Sequence, residues 1–456
     1  MMHPSRLLKF RFLLPVLLAI GGAGVCAFMV PREMEQVRDH MVGFPESDLF
    51  LQNLRPLIIG ALCFMPALGC LLYSLGGMLD RYITRLFVGI FGICISTLFA
   101  IWLLVDINEN LSDFRESNNV LVTIGRFYIA RSPAILLLLL PYSMLLSLIY
   151  SLGKLSKDRE IVAMIQSGRG VLRITRPMLI AGLWSSLFCL GLNYHWAPVA
   201  EGNRDAILKI ARGLPVEEAS DVLFLNPEQR RLWMIGSFPE NYEKGAPLLD
   251  VDITTTRPNQ ELRSRLSAKR AFWNRKTFEW SFEEAVIATH KPGQEPIFET
   301  QESPVIRKGW SETPWQLIKP GLSPQYLGIP ALSTWLGSSG HHLSSADPSP
   351  YRTQWHYRFA LPFTCLVTVL LATPLSIHFS RRGAGGSVFI AVVLSALMLL
   401  FSSITLAMGE AATINSMLAA WFPNILFTVI GLYLYQRRIF GRPIYQALRR
   451  LAPGGE

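Results

Sequence analysis

Read from its first residue, the chain is organised by long stretches without a single Asp, Glu, Lys or Arg. They are Phe12–Val30, Pro56–Leu79, Leu86–Val105, Ser132–Gly153, Pro177–Pro198, Phe359–Ser380, Gly383–Gly409 and Ala411–Gln436. A hydrocarbon core ~30 Å thick needs roughly 20 apolar residues of helix to cross it. The pattern therefore predicts about eight transmembrane helices. A buried helix of a soluble protein imitates one such run, but eight in one chain have no soluble counterpart.

Residues 199 to 355 have a different texture, with short alternating runs separated by Pro, Gly and Asn. Strands are predicted at Asp221–Leu225, Arg231–Gly236, Leu248–Thr255, Ala268–Asn274, Thr277–Phe282 and Ala285–His290. In Lys276–Phe282, Phe278, Trp280 and Phe282 alternate with Thr277, Glu279 and Ser281, the pattern of a sheet with one dry and one wet face. The fold class is thus an α-helical integral membrane protein with an inserted all-β domain. Residues 300 to 350 carry little periodicity, with a short helix expected within Ser323–Leu336. The pair His341-His342 has no third ligand at fixed spacing and reads as an exposed loop.

Composition agrees with the bilayer as solvent. Half of the 456 residues are hydrophobic, 17% are charged, and the mean hydropathy is +0.31. Charge sets the orientation. The connections at residues 1–11, 80–85, 154–176, 381–382 and 437–456 hold eighteen Lys and Arg, against six at 31–55, 106–131 and 410. By the positive-inside rule both termini are cytoplasmic and the insert lies outside. This asymmetry explains the net charge of +10, and the basic residues form no aromatic-interleaved patch of the kind that binds nucleic acid. All six cysteines fall inside the apolar runs, so no disulfide framework supports the insert. The first run follows Arg6, Lys9 and Arg11 like a signal peptide, but it is long for that role and reads as a retained helix.

The most informative short connection is Gly153–Gly168. Ile161, Met164 and Ile165 recur at helical spacing, with Arg159 and Glu160 at the start and Gly168 at the stop. This predicts a short amphipathic helix, open to two readings: an interfacial helix lying in the head groups, or a docking helix for a cytoplasmic partner with Glu160 as its specific charge.

At this point the sequence resembles a known family, the LptF/LptG permeases, membrane halves of the ABC transporter that exports lipopolysaccharide. The resemblance is carried by Leu79-Asp80-Arg81-Tyr82-Ile83, Asp106, the run Leu152–Gly168, Arg358-Phe359-Ala360-Leu361-Pro362, Pro374-Leu375, Arg381-Arg382-Gly383 and Ala420-Trp421-Phe422-Pro423-Asn424. It covers about residues 79 to 436, in order and with the insert in place. It implies six core transmembrane helices in the bacterial inner membrane and a periplasmic β-jellyroll-like domain between the third and fourth. Residues 78–198 would be the first transmembrane half, 199–355 the jellyroll and 356–456 the second half with a cytoplasmic tail. Residues 157–168 would be the coupling helix, docking on the ATPase through Arg159, Glu160, Ile161, Met164 and Gly168. The implied partners are a cytoplasmic ABC ATPase dimer, a second LptF/LptG-type chain, periplasmic LptC/LptA-like β proteins and lipopolysaccharide. ATP and Mg would be bound by the ATPase, and this chain would bind no cofactor. Consistent with that division, no GxxxxGK[ST] occurs, and Gly153-Lys154-Leu155 does not meet the pattern.

Two departures from the family stand out. The family chain normally begins near Leu79, so residues 1–77 add a pair of helices; Met78 stands where a family start would be, but two membrane segments with correctly placed charges read as a genuine extension. Where LptG-type chains carry lysines at the outer end of the first family helix, this chain has Asp106, Glu109, Asp113 and Glu116. The candidate lipid-phosphate contacts are Arg115, Arg126 and Arg131. Two other functions compete. A membrane-anchored scaffold recruiting envelope proteins would not need the coupling pattern. An intramembrane enzyme is disfavoured by the absence of HExxH, GxSxG and paired intramembrane Asp.

Overall fold

The computed structural model describes residues 4–40, 49–116, 119–212, 217–226, 229–239, 242, 245–258, 261–274, 277–290, 295–301, 304–318, 321–339, 348–377 and 384–440. Helices α1 (Pro4–His40) and α2 (Leu49–Leu75) form an N-terminal hairpin. After it come α3 (Met78–Glu109), the short α4 (Leu111–Arg115), α5 (Val120–Lys157), the short α6 (Glu160–Gln166) and α7 (Val171–Tyr194). Two short helices, α8 (Trp196–Gly202) and α9 (Arg204–Ala211), lead to seven strands. Helices α10 (Pro314–Ile318), α11 (Ile329–Ser339), α12 (Ser349–Ala360), α13 (Thr364–Ser376), α14 (Ala384–Glu410) and α15 (Ser416–Ile439) complete the chain.

Among the described residues, eight helical spans are long and apolar enough to cross a membrane, and they follow the eight charge-free stretches in order. The sixth combines α12 and α13 across a 3-10 turn at Leu361–Phe363. Helix α13 sits centrally, packed on α5, α7, α14 and α15. The N-terminal hairpin is docked on this bundle: where a Cβ on Gly191 of α7 would stand, Leu62 Cδ2 of α2 is only 2.6 Å away. At the far end of the hairpin, Glu33 and Arg55 form a buried ion pair at 2.5 Å, Trp196 Nε1 donates to Glu33 at 3.4 Å, and the Tyr194 hydroxyl donates to the Leu51 carbonyl at 2.7 Å. Pairing is what makes two buried charges tolerable there.

The strands are β1 (Glu217–Asn226), β2 (Arg231–Pro239), β3 (Leu248–Thr256), β4 (Leu262–Asn274), β5 (Glu279–Thr289), β6 (Ile297–Gln301) and β7 (Val305–Arg307). They form one antiparallel sheet in which β1 to β6 are neighbours in chain order and β7 pairs with β5. A crease crosses this sheet. Asp221, Asp250 and Glu284 all have positive φ, at 52°, 49° and 52°, and the register places Asp221, Gly236, Asp250, Lys269 and Glu284 on one transverse row. The inward-facing phase switches at that row. Leu248 is followed by Val251 and Ile253, Leu266 and Ala268 by Ala271 and Trp273, and Trp280 and Phe282 by Ala285. Residues from both sides of the crease share one core, sealed by Leu317 and Ile318 of α10. At one end of this core Glu312 is buried against Arg231 at 3.2 Å and accepts from Asn226 at 2.9 Å. Burial pushes the Arg231 guanidinium below its ordinary range, and the Glu312 charge opposes that shift.

Three sequence expectations change. The two strands expected at Thr277–Phe282 and Ala285–His290 are one strand, because the switch of phase at Glu284 breaks the alternation without breaking the pairing. Phe278 is not on the dry face: it takes φ 54° in the turn before β5 and is 54% exposed. Among the described residues of the 199–355 region, strands occupy only 217–307 and the two ends are helical, and the short helix expected within 323–336 is found as α11 after a 3-10 turn. The pair His341-His342 and the motif Arg381-Arg382-Gly383 lie outside the described residues.

Candidate functional site

The connection between α5 and α7 is built by two left-handed residues. Helix α5 runs to Lys157, Arg159 then takes φ 61° and turns the chain, and α6 starts at Glu160, so the helix is shorter than the expected 157–168. At the other end Gly168 takes φ 84°, its N–H donating to Ile165 O at 2.9 Å and that of Arg169 to Met164 O at 3.2 Å. These two bonds make a Schellman stop, which only a residue tolerant of positive φ closes without strain.

The faces of α6 are distinct. Ile161 is fully buried in a core with Ile83, Leu152, Leu155, Val171 and Ile174, and Met164 and Ile165 pack against the same core. Arg159, Ala163 and Gln166 are exposed at the spacing of a single outward stripe, and Gly168 is exposed beyond the end of the helix. Ile161 is therefore an internal anchor, not a contact for another protein. Its apolar character, read as a docking surface, is what seats the helix on its own bundle. Glu160 lies between the two faces, and its carboxylate oxygens accept from the Tyr82 hydroxyl of α3 at 2.9 and 3.1 Å. Tyr82 is a residue that the sequence did not single out for this role. It stands 78 positions away, and no local spacing signals the pairing.

The opposite end of the bundle carries the acid-rich region. Asp106, buried, accepts from the Tyr128 hydroxyl at 2.8 Å and from Arg131 Nη1 at 3.0 Å, while Arg131 Nη2 reaches Glu201 of α8 at 3.2 Å. Asp113 and Glu116 pair with Arg212, and Asn110 Oδ1 accepts from Arg204 of α9 at 3.1 Å. Of the three arginines considered for lipid phosphate, Arg131 is thus buried between two carboxylates and committed inside the chain. Arg115 and Arg126 are exposed. Among the described residues no group of His, Cys, Asp and Glu is placed to hold a metal ion.

The family model for the lipopolysaccharide export system permease LptF/LptG matches residues 81–437. The chain belongs to the LptF/LptG permease family. No curated protein matches it. The family match begins inside α3 and leaves the hairpin α1–α2 outside.

Within the LptF/LptG region, the residues that carried the resemblance close polar gaps in a bundle whose interior offers no water. At the 3-10 turn between α12 and α13, Asn424 Nδ2 donates to the Ala360 carbonyl at 2.6 Å. Arg358 exchanges bonds with Asn193 and donates from Nε to the Leu327 carbonyl at 3.2 Å. Just beyond the matched region, Arg438 donates to the Pro374 carbonyl at 3.0 Å and to that of Ile377, satisfying the end of α13.

Proposed function

We propose that this LptF/LptG-family chain is a non-hydrolysing permease subunit of an ABC transporter, which extracts lipopolysaccharide or a related lipid from the inner membrane and passes it to a periplasmic β-bridge. The observation that carries this reading is α6: a short helix anchored inward by Ile161, with Arg159, Ala163 and Gln166 outward and Glu160 held in place, at the end of the bundle away from the β domain. An interfacial helix would turn its apolar face to lipid, whereas here that face is used internally. The outward stripe is then the docking surface for a cytoplasmic ATPase, and ATP and Mg belong to that partner.

By the positive-inside rule, the charge asymmetry supports a cytoplasmic location for α6 and both termini and a periplasmic one for the β domain. Among the described residues, the edge strands β1 and β6 each pair on one side only, which suits strand addition by LptC/LptA-like proteins. A second LptF/LptG-type chain would complete the lipid cavity, and the exposed Arg115 and Arg126 remain as candidate phosphate contacts.

The test is Glu160→Arg in the full chain co-expressed with its ATPase. It is expected to reduce ATPase co-purification and lipid release together, while the chain still inserts, because reversing a specific contact charge leaves its partner uncompensated. Lys157→Glu, at an exposed position on the end of α5, should do much less. Wild-type levels of both association and lipid release in Glu160→Arg would favour a membrane-anchored scaffold instead.

A further inference from the structure

The polar attachments of α3 to the rest of the chain lie at its two ends. At one end the Tyr82 hydroxyl holds the Glu160 carboxylate of α6, and Ile83 and Phe87 share a core with Ile161. At the other end Asp106 is bonded to Tyr128 and Arg131 of α5. Just beyond it, Asn110 is bonded to Arg204, Asp113 and Glu116 of the Asn110–Glu116 turn are paired with Arg212, and Phe114 packs against Leu208 of α9. Between Phe87 and Asp106 no residue of α3 is buried. A stiff helix tied by polar bonds at both ends, and held between them only by half-buried apolar side chains such as Phe91 and Ile95, moves as a body. Directional bonds at its ends make whatever they hold move with it. The segments held are, on one side, the short helix α6 and, on the other, α9, which leads into β1 of the β domain.

We propose that α3 with α4 is a strut that carries displacement of α6 to the α8–α9 stalk of the β domain, with Tyr82 and Arg212 as positioning residues at its two ends. The proposal rests on the reading of α6 as the ATPase-docking helix. It also accounts for the acidic residues at the outer end of α3: Asp106, Asp113 and Glu116 are the sockets for Arg131 and Arg212, and an anionic lipid is not what they recognise. Helix α5 is the rival path, since it runs directly into the α6 turn and holds Arg131. The Tyr82 and Arg212 contacts bypass α5, so their loss separates the two routes.

The experiment uses the full chain with its ATPase and partner permease in vesicles containing lipopolysaccharide, and reads lipid released per ATP hydrolysed. Tyr82→Phe and Arg212→Gln are each expected to lower that ratio by about fivefold or more while hydrolysis continues. The double variant Arg212→Asp with Asp113→Arg rebuilds the ion pair in reverse and should recover most of the ratio, which simple loss of packing would not allow. Should Arg212→Gln fail to accumulate, Arg204→Gln cuts the neighbouring tie to Asn110 and replaces it. A wild-type ratio in either single variant, or a reversed pair no better than Arg212→Gln, overturns the strut. Failure of the docking reading is a separate result, because it shows as Glu160→Arg protein that still co-purifies with the ATPase.

Discussion

Helices α13 and α3 both belong to spans apolar enough to cross a membrane, yet α13 buries eleven of its 13 residues and α3 only three of its 32. Their compositions differ in size more than in polarity. Helix α13 reads Thr364-Cys365-Leu366-Val367-Thr368 and continues through Ala372, Thr373 and Ser376, whereas the middle of α3 is dominated by Phe, Ile and Leu. Lipid tails are as apolar as Leu, so a membrane bundle gains little by hiding large apolar side chains. It gains by close approach of small residues and by satisfied polar groups. Small residues mark the centre of this bundle. Large ones mark a helix held by its ends.

The largest expected effect breaks the outer grip of α3. Arg131→Ala leaves Asp106 buried without its counter-charge and should cost about 3–5 kcal/mol, read as thermal unfolding of the purified protein in detergent. Next is the centre of the bundle, where Leu371→Ala removes a fully buried side chain and should cost about 2–5 kcal/mol by the same measurement. At the inner grip, Tyr82→Phe keeps the ring and loses only the hydroxyl bond to Glu160. Its expected stability cost is about 0.5–1.5 kcal/mol, so its effect on transport would greatly exceed its effect on stability. Smallest is Ile93→Ala on the lipid-facing middle of α3, 69% exposed, with an expected change within about 0.5 kcal/mol. If Ile93→Ala destabilised as much as Leu371→Ala, the contrast between the two helices would collapse.

The sequence carried the bundle well because charge-free length is a direct consequence of bilayer thickness, and each of the eight stretches has its helix. It carried the sheet less well. The alternation that signals a strand assumes a constant phase, and the crease through Asp221, Asp250 and Glu284 resets it, splitting β5 on paper and hiding the first half of β4. The short strands β6 and β7 were also missed, since three to five residues are too few for a periodicity to register. In the candidate site, the helix with Glu160 at its start and its stop at Gly168 were legible from local rules, whereas the left-handed turn at Arg159 was not. The direction of Ile161 was not, because an amphipathic helix states that it has an apolar face and not whose surface covers it. The commitment of Arg131 to Asp106 and the bond of Tyr82 to Glu160 span 25 and 78 residues, and only the folded chain brings them together.

The central claim is that the outward stripe of α6 docks a cytoplasmic ATPase, and site-specific photo-crosslinking tests it most directly. A photoreactive residue at Ala163, exposed on that stripe, should crosslink to an ABC ATPase in intact cells, and one at Ile161, buried against Leu155 and Ile174, should crosslink only within the chain. Crosslinking from position 163 to lipid alone, with no ATPase adduct, would contradict the account.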